Sequence, residues 1–238
     1  MTTPEMHYDY KQKLNKIDSE QNTNLVIPEI DWKLNEAQEL FIKTIAEPRK
    51  HNHLGFEVNQ RSIDDIRSLV VEAKELTTIP ITGNRFTISL PTDYLFYVSA
   101  RALAIREGCQ SRDIRITIQQ HDDKFESDPF MYSDFEWRHI NGVFNDTGLM
   151  VYSDGTFSIQ KIYLTYIRKP KYMHNAQGFG ISGYTTLTGQ VLTGTQNCEL
   201  PEHTHREIVD LAVLLTAGDL SMADYQLKQN KVNLSGIF

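Results

Sequence analysis

The stretch Gly148–Pro170, GLMVYSDGTFSIQKIYLTYIRKP, carries the clearest local signal in the chain. Asp154-Gly155 is a two-residue turn sequence whose glycine suits the φ > 0 demand of a type I′ hairpin, and β-branched and aromatic residues crowd both flanks. The reading is a β-hairpin of strands Leu149–Ser153 and Thr156–Arg168. Along the second strand Ile162, Leu164 and Tyr166 share one face while Tyr163, Thr165 and Ile167 share the other, so neither side is fully wet. Other segments must cover both faces. No residue of the stretch is placed as a catalytic group, which tilts the reading toward a structural part.

Working outward, Val26–Trp32 is extended by Pro28, and Asn35 starts a helix with Asn35 and Gln38 as a capping box. Leu34, Phe41, Ile42 and Ile45 form its apolar side, and Pro48 ends it. Ser62 and Asp65 cap a second helix whose Ile63, Ile66, Leu69, Val70 and Ala73 recur at helical spacing. Thr82-Gly83-Asn84 is a turn, Arg85–Leu90 alternates as a strand, and Pro91 opens a third helix through Tyr94–Ala104 that Gly108 closes. Asp113–Gln120 sets Ile114, Ile116 and Ile118 against Arg115 and Thr117, a strand with one wet face. Residues 121–145 are charged and aromatic without periodicity, a long excursion with a short helix.

Beyond the hairpin, Asn175–Asn197 is rich in glycine and threonine and nearly uncharged. Alternation over Tyr184–Leu192 favours an arm that orders by packing on another subunit; a disordered surface loop is the alternative. Pro201 sits in the first turn of a last helix, with Ile208, Leu211, Ala212, Leu215 and Leu220 as its stripe. The fold class is α+β: a helical core, an antiparallel sheet or hairpin part, a projecting arm and a C-terminal tail. The expected organisation is a flexible N-terminal arm over 1–24, which is a short helix or a segment ordered by a partner. A single α+β domain follows over 25–230 with the arm at 175–197, and a tail over 231–238 ends in Ile237-Phe238.

With 238 residues, 40% hydrophobic and 23% charged, the chain buries roughly 70% of its unfolded surface in ordinary cores. A balance of 24 Lys+Arg against 31 Asp+Glu gives a net charge of -7, which argues against a dedicated nucleic-acid binder. The short basic cluster Arg168, Lys169 and Lys171 reads as a solvated strand end. No apolar run reaches the ~18 residues a membrane span needs, and no signal-peptide core is evident, so folding in a cytoplasm is expected. Cys109 and Cys198 form no CxxC pair and read as free thiols.

Gly178, Gly180 and Gly183 spell GxGxxG but lack the preceding strand and following helix of a dinucleotide loop. His203 and His205 lie two apart in a helical first turn and diverge by about 200°, too far to grip one metal; His51 and His53 sit in a polar loop. The acids Asp122, Asp123, Glu126, Asp128, Asp134 and Glu136, with Lys124 nearby, are a candidate Mg²⁺ site for phosphoryl chemistry, but the run reads as solvated loop. No cofactor and no metal is expected.

Taken together, IDWKLNEAQELFI with GFEVNQRSIDDIRSLV, then FTISLPTDYLFYVSARA, then CELPEHTHREIVDLAVLLTAGDL resemble the head-to-tail connector, or ring, proteins of crAss-like tailed phages, with a more distant similarity to podovirus tail adaptor proteins. The resemblance spans Ile30–Gln226. It implies a structural virion protein without an active site, assembled in the host cytoplasm at the head-to-tail junction. Its partners would be itself in a ring of twelve subunits, the portal, other connector and tail proteins, and packaged DNA in the channel, touched without sequence preference. His203, His205 and Glu207 carry over as structural residues only. Arms and tails with apolar ends suit such contacts, which points to Tyr184, Leu187, Val191, Leu192, Ile237 and Phe238 as interface residues. The alternatives are a metal-dependent phage nuclease using the acidic run, and an accessory tail-binding module.

Overall fold

Two of the runs whose spacing reads as helical are strands, and they make the sheet far larger than the sequence suggests. The computed structural model describes residues 1–15, 25–46, 64–81, 84–119, 132–180, 183–186, 189–220 and 225–234. The chain divides into two compact units: Val70–Lys169, and Met1–Leu69 with Pro170–Phe238.

The first of these units holds strands β1 (Val70–Thr77), β2 (Ile79–Ile81), β3 (Arg85–Ile88), β4 (Tyr94–Ile105), β5 (Arg112–Gln119), β6 (Ile140–Asn145), β7 (Gly148–Tyr152) and β8 (Ser158–Arg168). They form one eight-stranded sheet in the order β1-β8-β4-β5-β6-β7-β3-β2. The β5–β6 pair is parallel, so the sheet is mixed where the sequence reading has it antiparallel. β1 and β2 stand at opposite ends of that order, yet Thr78 alone separates them. Across a flat eight-stranded sheet the edges would lie about 34 Å apart at ~4.8 Å per strand gap. A single residue bridges only about 7 Å between its neighbours. The sheet therefore curls until its two edges meet in one continuous run of chain. Thr78 secures the junction, its hydroxyl donating to Ile159 O at 2.6 Å. Inside the curl Ala100, Ala102, Ala104, Ile114, Ile116, Ile140, Leu149, Val151, Ile162, Leu164 and Tyr166 pack into one buried core.

Val70–Thr77 and Tyr94–Ile105 correct the helical readings. In β4 the decisive pattern has period two: Ala100, Ala102 and Ala104 point inward, fully or nearly fully buried, while Arg101 is exposed. Alanine favours helices in isolation, but here small side chains face Ile162 and Leu164 of the neighbouring strand, and tertiary packing overrides propensity. β1 is an edge strand with a bulge between Val71 and Lys74, where Ala73 takes φ 45. A bulge and charged side chains are usual protection for an edge.

The Gly148–Pro170 stretch does supply two strands, but not a hairpin. β7 pairs with β6 and β3, and β8 pairs with β4 and β1. Between them Asp154 Oδ1 accepts from Thr156 N at 2.7 Å, and Ser153 Oγ donates to Phe157 O at 2.6 Å. Gly155 keeps the expected positive φ (87), and a Cβ there would lie 2.5 Å from the Asn84 amide. Phe157 then turns into the core, 5% exposed and 5.9 Å from the Phe135 ring. The strands splay around that aromatic plug rather than pairing with each other.

In the other unit, helices α1 (Thr3–Asn15) and α2 (Ile27–Ala46) pack on α4 (His205–Asp219), as does α5 (Tyr225–Leu234); a short helix, α3 (Ala176–Phe179), and a small strand pair complete it. α4 is buried on nearly every side through Ile208, Val209, Leu211, Ala212, Val213 and Leu214, as a helix surrounded by others must be. It ends at Asp219, so the single long final helix expected from sequence is two helices. α1 is too short to persist alone. Met6, Tyr10 and Leu14, one helical face, are buried at 0%, 0% and 3% exposure, each contributing about 1.5–3 kcal/mol over solvent exposure. α2 begins at Ile27, well before Asn35. Pro28 sits in its first turn, where no N–H is needed, and Glu29 Oε2 accepts from Val26 N at 3.0 Å.

Candidate functional site

Starting α2 at Ile27 puts Asp31 and Gln38 on the buried stripe with Ile30, Leu34, Ala37, Phe41 and Ile42. Asp31 is 0% exposed. A carboxylate there must be fully bonded or it would cost several kcal/mol. It is: Oδ1 lies 2.7 Å from His7 Nε2, Oδ2 accepts from the Tyr184 hydroxyl at 2.6 Å, and the Asn175 backbone N–H donates to both oxygens at 3.2 and 3.1 Å. One turn on, the Asn35 amide donates to Met173 O and accepts from Met173 N, at 2.7 and 2.8 Å. These bonds tie α1, α2 and the glycine- and threonine-rich stretch into one polar node. Burial first, and the Asp31 carboxylate second, push the Tyr184 hydroxyl pKa up strongly. The node holds structure; it offers no free acid or base.

Of the residues read as interface, Tyr184 and Leu192 are buried within their own unit, packed with Ala176 and Tyr172. They pair across the two-residue strands β9 (Tyr184–Thr185) and β10 (Val191–Leu192). Val191 points outward, 64% exposed. Leu187, Ile237 and Phe238 lie outside the described residues. Gly183 precedes β9 at φ 69, where a Cβ would come within 1.9 Å of Leu192 O, so this glycine serves a close backbone approach. The short helix α3 carries Gly178 and precedes Gly183, the reverse of a nucleotide loop.

His203 and His205 part company as their spacing requires: His203 Nε2 meets Asp65 Oδ1 at 2.7 Å, and His205 Nε2 donates to Leu200 O at 2.8 Å. His51, His53, Asp122, Asp123, Lys124, Glu126 and Asp128 lie outside the described residues. Asp134 accepts from the Glu136 and Trp137 amides, and Glu136 is ion-paired with Arg106 at 3.0 Å. Among the described residues no group of three or more His, Cys, Asp or Glu side chains is placed to hold a metal ion. Both cysteines are free, and burial pushes the Cys198 thiol up to about 11. A groove of ≈ 890 Å³ is lined by residues of α1, α4 and α5, and within it Lys13 pairs with Asp9 and Asp210, and Lys231 with Asp210.

Sequence reasoning missed Asp31. Its signal is an acid on the apolar stripe of a helix, visible only if that helix starts at Ile27.

A protein-family model described as "Phage tail ring protein 3/4" matches residues 1–231. The chain belongs to this family of crAss-type phage ring proteins. No curated protein matches it. As a tail ring protein it is a structural component of the virion, made to meet copies of itself and other tail components. The ion pairs of the groove and the saturated carboxylate node are consistent with that non-catalytic role, because both hold helices in fixed positions.

Proposed function

We propose that this ring protein closes a homo-oligomeric ring of twelve subunits in the head-to-tail connector, stacked between portal and tail and enclosing the channel through which packaged DNA passes. The observation that carries the reading is the family match over nearly the whole chain. A net charge of -7 suits a channel wall, since a passage for DNA must not bind phosphate tightly. Val191, with Leu187, Ile237 and Phe238, supplies contacts to neighbours, while Tyr184 and Leu192 hold the strand pair that displays Val191.

The test is the mass of the purified protein by light scattering, alone and after mixing with the cognate portal. A defined multimer on the portal is the expected result. A protein that stays monomeric and leaves the portal untouched contradicts the proposal.

A further inference from the structure

Trp137 is 85% exposed, more than any other large hydrophobic residue described. Its turn is built to hold it there. Asp134 and His139 exchange backbone hydrogen bonds at 2.7 and 3.0 Å, closing the loop at its base. Inside the loop Asp134 Oδ1 accepts from the amides of Glu136 at 2.6 Å and Trp137 at 3.0 Å. Phe135 is buried to 1% exposure, with the Arg112 guanidinium 4.8 Å over its ring. Arg106 and Arg112 both reach Glu136, at 3.0 and 3.7 Å. Arg138 closes the turn at φ 54, a conformation disfavoured for a side chain of its size.

A tryptophan on a fixed support loses little freedom when it is covered, which is what distinguishes a strong binding anchor from a casual exposed ring. We infer that Trp137 is the aromatic anchor of the contact between neighbouring copies of this chain. The inference rests on the ring reading above. A closed ring uses head-to-tail contacts, so every copy must carry a projecting patch and, elsewhere on its surface, the site that receives it. Charge favours the same occupant. Arg138, beside Trp137, has no acidic partner among the described residues, and a second copy of a chain with net charge -7 offers an excess of acids to pair with it.

The chain has two tryptophans, Trp32 and Trp137, so Trp32→Phe leaves Trp137 as the only indole. Fluorescence and sedimentation of this variant, of wild type and of Trp137→Ala are followed over protein concentration, with and without the cognate portal. Expected are a blue shift of Trp137 emission on association and a self-association constant weakened about tenfold to a hundredfold in Trp137→Ala, with its unfolding transition unchanged. Arg138→Glu provides a second variant weakened in the same direction. Association of wild type and Trp137→Ala at equal strength, without a blue shift, overturns the anchor and leaves the ring reading standing. A blue shift only on adding a different tail protein overturns it as well. A wild type that never self-associates, alone or on the portal, overturns both.

Discussion

Asp31 shows how much one residue can organise. Its carboxylate receives His7, Asn175 and Tyr184 from segments far apart in sequence, all in a site from which water is excluded. Asp31→Ala leaves those partners buried and unpaired, and should destabilise the protein by about 3–5 kcal/mol, with Tyr184→Phe costing about 1–3 kcal/mol; urea unfolding at neutral pH reads both. Tyr184 also predicts a pH dependence. Burial, then the bond to Asp31, raises its folded pKa above the ordinary value of 10.0, and burial acts likewise on Tyr10, Tyr94, Tyr97, Tyr166 and Tyr172. The folded state then holds these protons more tightly than the unfolded state. The stabilisation is complete below about pH 10 and falls as pH rises above it. Unfolding free energies between pH 8 and about pH 11 should decline, and Tyr184→Phe should decline less steeply than wild type. A flat profile in both proteins would count against the node.

At the scale of elements, the sheet depends on where strands find partners rather than on where they begin. Phe157 is the plug that keeps β7 and β8 apart, so Phe157→Ala should cost about 3–5 kcal/mol in a denaturant titration. A loss within 0.5 kcal/mol, the range usual for surface sites, would mean that the splay has another cause. The legible parts of the fold were those where pattern and environment agree. β5 alternates isoleucine against polar residues and was readable as a strand with one wet face; α4 carries a full apolar stripe. The segments that misled are those where local preference and tertiary need diverge. Ala100, Ala102 and Ala104 look helical in composition, yet they are small because they sit inside a curled sheet. Asp154-Gly155 has hairpin chemistry, but no local rule reports that Phe157 will be drawn into the core. The node was hidden for a related reason: Pro28 reads as an extended segment unless it is recognised as the first turn of a helix. The divergence of His203 and His205 is legible from their spacing, and in the structure they bond Asp65 and Leu200 O respectively.

For the whole molecule, the family assignment and the residue-level chemistry point the same way. The polar groups around Asp31 are committed to one another, and Lys13, Lys231 and Asp210 are paired in the groove. The most exposed large hydrophobic residues described are Trp137, held on its hydrogen-bonded turn, then Leu227, Tyr8 and Val191. Such a chain acts by what it touches, and in a tail ring the first thing it touches is its own neighbour. Cryo-electron microscopy of the intact virion, with the two units fitted separately into the tail density, tests this most directly. The account predicts a closed ring of copies around the tail axis next to the portal, with density covering Trp137 in every subunit. Copies placed off the axis, or singly among other tail proteins, would contradict it.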